Sequence, residues 1–211
     1  MEKYNLSEAI SSGNLELAIS ETNRALENKL SPTEIINKHL IIGMEIIGKA
    51  YGEGKAFVPN LLMSARAMKG ALDILKPLLA SNNDAYLGRV IIGTVRGDLH
   101  DIGKNLVASM LEGCGFEIIN LGVNVTAEQF VKAAEENEAD IICMSALLTT
   151  TMVNMSETIE LLNKEGLRNK YKVMIGGAPV TQEFADKIGA DAYTENANTA
   201  VSAARKLISV A

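Results

Sequence analysis

The sequence has no tryptophan, two cysteines, two histidines and four prolines, and aromatics make up only 4% of its 211 residues. Each shortage removes a class of function. Cys114 and Cys143 are far apart among apolar or glycine neighbours, so they build neither a disulfide framework nor a C-x-x-C zinc pair. Two buried, reduced thiols are expected. With His39 and His100 as the only imidazoles, no multi-histidine metal site is available. Scarce aromatics leave no stacking platform for single-stranded nucleic acid. Positive charge is in deficit: 20 Lys plus Arg against 26 Asp plus Glu give a formal charge of −6, which repels phosphate backbones. No apolar run approaches the roughly 20 residues of a membrane span. The opening M-E-K-Y-N-L-S-E lacks the basic-then-apolar pattern of a secretory signal. A cytoplasmic globular protein with no nucleic-acid and no membrane partner is expected, and 47% hydrophobic residues supply its core.

What is present falls into two textures. From Leu6 to Leu79 apolar residues recur at helical spacing, which predicts four helices. They run over Leu6–Ser11, over Leu15–Asn28 after a Gly13-Asn14 break, from the Ser31-Pro32 cap to Tyr51, and over Val58–Leu79. Four helices with short connections make a small bundle. A polar stretch from Ser81 to Gly88 then reads as a linker, dividing the chain into a helical domain, 1–84, and a second domain, 85–211. Beyond it, β-rich runs at 89–95, 116–121, 140–145, 171–176 and 191–194 alternate with helical segments of about ten residues or more. That alternation predicts an α/β domain with a five-stranded, doubly wound parallel sheet of the flavodoxin or Rossmann-like kind. In such sheets ligands sit beyond the carboxyl ends of the strands.

The loops at those ends carry the polar residues. The first strand runs into R-G-D-L-H-D-I-G-K-N, 96–105, where His100 stands between Asp98 and Asp101. Asp98, two residues before His100, is within reach of one imidazole nitrogen while the other faces outward, the arrangement that prepares a single histidine as metal ligand or base. Gly97 and Gly103 permit unusual dihedrals and close backbone approach. The loop is no phosphate cradle, because it lacks the Lys-Ser pair of a P-loop and the Gly-x-Gly-x-x-Gly fingerprint. The third strand ends in a row of hydroxyls, Ser145 to Thr151, with Leu147 and Leu148 between. The fourth ends in Gly176-Gly177-Ala178-Pro179, which reads either as a tight turn or as room for a bulky flat group. The fifth is followed by Glu195-Asn196-Ala197.

In order and spacing, Asp98-x-His100-x-x-Gly103, Ser145-x-Leu147 and Gly176-Gly177 resemble the three-part signature of cobalamin-binding domains of the methionine synthase and corrinoid-methyltransferase type. Residues 44–68 resemble the helical cap that precedes that domain. The resemblance implies a cobalamin or related corrinoid held base-off/His-on: the lower dimethylbenzimidazole base leaves cobalt and threads into the sheet, and His100 takes its place as metal ligand. Asp98 then orients His100, and Thr151, standing where the methionine synthase pattern has serine, ends the relay. Ser145 and Thr149 correspond to hydroxyls near the buried base, and Gly176, Gly177 and Ala197 to the walls of its channel. Gly97, Asp101, Gly103 and Leu147 complete the implied cofactor loops. In the cap, Tyr51, Val58 and Leu61 match positions that cover the upper face of the corrin.

The function so implied is that of a methyl carrier, non-catalytic alone, that shuttles a methyl group on cobalt from a donor-specific methyltransferase to a second one acting on tetrahydrofolate or a thiol. A corrinoid-reactivating protein is a further expected partner. The alternatives are a cobalamin-binding regulatory or sensor module, the small subunit of an adenosylcobalamin mutase, and a flavodoxin-like protein with another ligand. The acidic bundle lacks the basic output helix common in sensors, which favours the carrier.

Overall fold

In the computed structural model, which describes residues 4–79 and 86–209, the helices of the first half mostly start where capping chemistry places them. Helix α1 spans Leu6–Ser11 and α2 spans Leu15–Glu27. Asn14 caps α2 by accepting from the Leu17 N–H at 3.0 Å. Gly13 between them has φ +70°, and a Cβ there would lie 2.5 Å from Met63 Cβ, so only glycine lets this corner meet its neighbour. Ser31 accepts from Glu34 N–H at 3.2 Å and opens α3, Pro32–Ile35. The single helix expected from Ser31 to Tyr51 is interrupted: a π-helical turn, Ile36–Leu40, separates α3 from α4, Ile41–Gly52. A π turn shifts the backbone hydrogen bonds by one residue, and here the Ser7 hydroxyl donates to the His39 carbonyl at 2.9 Å. Helix α5, Val58–Leu79, carries Pro59 in its first turn, where no intrahelical N–H is needed. Leu6, Ile10, Ile35, Leu40, Leu61, Met68 and Leu75 are buried in this unit, as a bundle requires.

The chain divides into two compact units, the first comprising residues up to Tyr86 together with Glu112–Gly115, the second Leu87–Leu111 and the residues from Phe116 onward. The expected boundary at 84/85, and the linker apart from Tyr86, Leu87 and Gly88, lie outside the described residues. The second unit alternates strictly: β1 (Arg89–Thr94), α6 (Ile102–Gly113), β2 (Glu117–Asn120), α7 (Ala127–Glu136), β3 (Ile141–Ser145), α8 (Val153–Lys164), β4 (Lys172–Gly176), α9 (Gln182–Ile188), β5 (Ala192–Thr194) and α10 (Ala197–Ser209). All strand pairs are parallel in the order β2-β1-β3-β4-β5, the doubly wound arrangement read from the sequence. Helix α9, at seven residues, is shorter than expected, because Gly189 turns left-handed with φ 77° and stops it. Ile91, Ile142, Val173, Ile175 and Phe130 are fully buried in one continuous core. Cys114 and Cys143 are buried and free, as expected, and burial pushes the Cys143 thiol up to about 12.

Two consequences of this topology position the site. The strand order reverses between β1 and β3, the switch point beside which ligands sit at the carboxyl edge of such sheets. The register also aligns Thr94, Ser145, Gly176 and Thr194 side by side across β1, β3, β4 and β5. The last rung of the sheet before that edge is therefore built wholly of small residues.

Candidate cofactor site at the carboxyl edge of the sheet

Asp98 is the centre of the site. It has no solvent exposure, yet both of its oxygens are occupied. Oδ1 accepts from the backbone N–H of His100 at 3.0 Å and lies 2.7 Å from its Nδ1. Oδ2 accepts from Leu147 N–H at 2.7 Å and from Leu148 N–H at 3.2 Å. The Thr151 hydroxyl lies 2.9 Å from the same Oδ2 and 2.8 Å from the Leu148 carbonyl, so its one proton is given to one of them at a time. Burial pushes the Asp98 carboxyl up, but the hydrogen bonds from His100, Leu147 and Thr151 outweigh it and hold the group well below the usual carboxylate range. An ionised carboxylate can only accept, so it draws the proton of neutral His100 onto Nδ1 and leaves a lone pair on Nε2. The His100 side chain is half exposed, and its carbonyl accepts from the buried Thr94 hydroxyl at 2.8 Å. A rigidly mounted, outward-facing nitrogen donor results.

The sequence-predicted residues are distributed unevenly around this centre. Gly97, with φ 78°, makes the turn that brings Asp98 beneath the loop after β3, where Leu147 and Thr151 meet it. Asp101 accepts from the Asn105 side-chain amide at 2.9 Å. Gly103 lies in the first turn of α6 without a positive φ, contrary to the expectation of an unusual dihedral, and a Cβ there would meet nothing in the protein. Thr149 is exposed in the turn before α8, whereas Thr151 is buried. Ser145 ends β3 in the row of small residues. At Gly177, φ is 133° and a Cβ would come within 1.9 Å of the Ala146 carbonyl. At Gly176 it would come within 2.9 Å of the Thr194 carbonyl, so the two glycines answer a close approach of neighbouring backbone. Ala197 is buried as the first residue of α10. Tyr51, Val58 and Leu61 belong to the helical unit: the first two are half-buried and Leu61 is buried.

Sequence reasoning missed Thr94, Thr194 and the Leu148 amide, which only strand register and loop folding reveal. It also missed the apolar rim. Leu99 is 72% exposed and Ile102 87%, and Val123, Leu147, Leu148 and Val153 are exposed as well. All six follow the carboxyl ends of β1, β2 or β3. Large aliphatics clustered in water around a polar centre mark a binding face. Among the described residues no three His, Cys, Asp or Glu side chains converge as a metal cage. A metal at His100 Nε2 must therefore arrive with most of its ligands. A flat apolar macrocycle carrying its own metal fits this donor set: one nitrogen below, aliphatic side chains around it and a row of small residues beside it.

Comparison with known proteins identifies the family. Two family models, each described as a B12 binding domain, match residues 88–203 and 4–76. The chain is 47% identical to dimethylamine corrinoid protein 1 of Methanosarcina acetivorans over 183 residues, covering 86% of both. Among solved structures it resembles a cobalamin-binding protein from Desulfitobacterium hafniense, with a TM-score of 0.84, 30% identity, and coverage of 98% of this chain and 99% of the other. It also resembles a chain of the methanol:cobalamin methyltransferase complex of Methanosarcina barkeri, with a TM-score of 0.80 and 30% identity over 99% of this chain and 80% of that one.

Proposed function

This chain belongs to the B12-binding-domain family, and from that premise we propose that it is a methyl-carrying corrinoid protein in which His100 would hold the cobalt of the corrinoid. When bound, the corrinoid supplies a cobalt atom able to take a methyl group from one partner and yield it to another. The observation that supports the reading is the 2.7 Å contact between His100 Nδ1 and the buried Asp98 carboxylate, which keeps Nε2 free to ligate. The chain's own contribution is to hold that nitrogen, to cover the lower face with Leu99, Ile102 and Leu147, and to admit the displaced nucleotide base, base-off/His-on. Ser145, Thr149, Gly176, Gly177 and Ala197 are proposed for the base channel, with Gly97, Asp101 and Gly103 shaping the loop. In the helical unit Tyr51, Val58 and Leu61 are proposed as the cover of the methyl-bearing face.

The proposed partners are a donor-specific methyltransferase, a second methyltransferase acting on tetrahydrofolate or a thiol, and a corrinoid-reactivating protein. The relatives named for dimethylamine and for methanol:cobalamin methyltransferase support the first of these. The test loads the protein with cobalamin, reduces it to cobalt(II) and records electron paramagnetic resonance with and without nitrogen-15 histidine. A nitrogen splitting that changes on labelling, and disappears in His100→Ala while the corrinoid stays bound, is expected. An unchanged splitting overturns His100 as ligand. Failure of any methylamine or methanol methyltransferase to methylate the loaded protein would favour the sensor alternative instead.

A further inference from the structure

We infer that Asn124, in the loop after β2, is a positioning residue for His100. The loop from Leu121 to Val125 contains two left-handed residues, Gly122 with φ 81° and Asn124 with φ 57°, and asparagine is among the few side chains that tolerate this backbone. From that conformation Asn124 makes two bonds to the histidine loop. Its Oδ1 accepts from the Gly97 N–H at 2.7 Å, and its own N–H donates to the Asp98 carbonyl at 3.1 Å. Together they clamp the backbone of Gly97 and Asp98 from one side. Asp98 in turn holds both the backbone N–H and the Nδ1 of His100. Any displacement of the Asp98 backbone is thus passed to the imidazole.

The clamp is itself firmly mounted. Gly122 N–H donates to Asn120 Oδ1 at 3.0 Å, and the same oxygen accepts from Lys104 Nζ at 2.7 Å. Lys104 is buried, 3% exposed, and its other bond goes to Asn105 Oδ1 at 2.7 Å. Gly122 O accepts from Thr94 N–H at 3.0 Å, and Val125 N–H donates to Thr94 O at 2.9 Å. The loop after β2 is thereby fastened to β1 on the strand side and to α6 through Lys104. Water can replace a lost bond to the exposed Gly97 N–H, but it cannot fix the position of the peptide.

The inference rests on the proposed role of His100, and the test separates the two. Three proteins are compared: the parent chain, Asn124→Gly, which keeps the left-handed backbone and removes the acceptor, and Asn124→Asp, which restores an acceptor oxygen of the same reach. In ligand-free nitrogen-15 protein, Asn124→Gly is expected to exchange the Gly97 amide about five- to tenfold faster. It should also shift the His100 ring nitrogens away from the single Nδ1–H form. Loaded with cobalt(II) cobalamin, it should show at least twofold less of the histidine-split spectrum. Asn124→Asp should return all three readouts to within about twofold of the parent. Unchanged Gly97 exchange in Asn124→Gly overturns the inference, as does faster exchange with His100 ring signals and splitting unaltered. Absence of splitting in the parent itself removes the ligand reading, while the ligand-free ring signals still decide on Asn124.

Discussion

The strands of the α/β unit start among opposite charges and finish among neutral donors. At the amino edge, Arg89 pairs with Glu117 at 2.6 Å and with the Asn137 carbonyl, and its own N–H donates to Asp140. Arg168 holds Asp191 at 2.8 Å and the carbonyls of Gly189 and Tyr171. At the carboxyl edge the buried carboxylate, Asp98, has no lysine or arginine partner among the described residues and is satisfied by two loop amides, a hydroxyl and a histidine. Charge against charge fastens strands and leaves nothing over. A carboxylate held by neutral groups keeps its field for the one imidazole beside it. The apolar surface divides in the same way: among the described residues of this unit, every exposed large aliphatic except Leu87 follows a carboxyl strand end. One edge is finished for stability and the other is left unfinished for a ligand.

The contrast breaks most severely at Asp98. Asp98→Ala leaves the Leu147, Leu148 and His100 amides without their acceptor, and unfolding monitored by circular dichroism in urea is expected to show a loss of about 3 kcal/mol. The pH dependence gives the sign. The folded carboxyl lies below its ordinary 3.8, so its contribution is complete above that value and is lost as pH falls through the folded one. Parent and Asp98→Asn should therefore change in parallel from pH 7 to about 5, and below about pH 4 the parent should lose stability faster. Parallel curves down to pH 2 would mean that Asp98 is not held ionised by its neighbours.

Next in size is the amino edge. Arg168 is largely shielded and serves three acceptors, so Arg168→Ala is expected to cost about 1.5 kcal/mol. The histidine ring signals should not move, since the partners of Arg168, which are Tyr171, Gly189 and Asp191, lie outside the loop of His100. A shifted His100 spectrum in Arg168→Ala would show that the two edges are not independent.

Thr151→Val follows, at about 1 kcal/mol, because the shape is kept and only the hydroxyl is lost. Two amides still serve Asp98 Oδ2, but one bond that lowers its pKa is gone. The acid-induced loss of stability should still begin near the ordinary carboxyl value, but it should be smaller and level off at higher pH than in the parent, and Thr151→Ser should restore the full loss. An unshifted acid limb would assign the Thr151 hydroxyl to the Leu148 carbonyl rather than to Asp98.

How much of this was legible depends on whether the information is local. The β-rich runs and helical periods gave five strands within a residue of their ends, and the two-residue spacing gave the Asp98–His100 bond, because each is written in neighbouring residues. Strand ends were trimmed where backbone groups bond elsewhere, as when Phe116 N–H donates to Leu111 O after α6. The π turn at 36–40 left no mark, since its residues are ordinary helix formers. The row of Thr94, Ser145, Gly176 and Thr194 comes from register across four strands, and no segment alone contains it. The reach of the Leu148 amide to Asp98 spans 50 residues.

The smallest expected effect on stability sharpens the comparison most. Ile102 opens α6 almost fully exposed, so in the ligand-free protein Ile102→Ser removes no buried surface and should change the unfolding free energy by less than about 0.5 kcal/mol. A core isoleucine such as Ile142, 0% exposed, would cost several times more on truncation. If the exposed side chain is there to be covered by a macrocycle, its loss should appear on loading instead. Corrinoid affinity, measured by absorbance titration, is expected to fall about tenfold, the equivalent of the apolar area that a bound ring would hide. The same substitution at Leu99 should behave alike, because both residues flank His100 and neither packs in the core. Equal corrinoid affinity in both variants would mean that the exposed aliphatics of the carboxyl edge are incidental. The division of the sheet into a fastened edge and a binding edge would then rest on Asp98 and His100 alone.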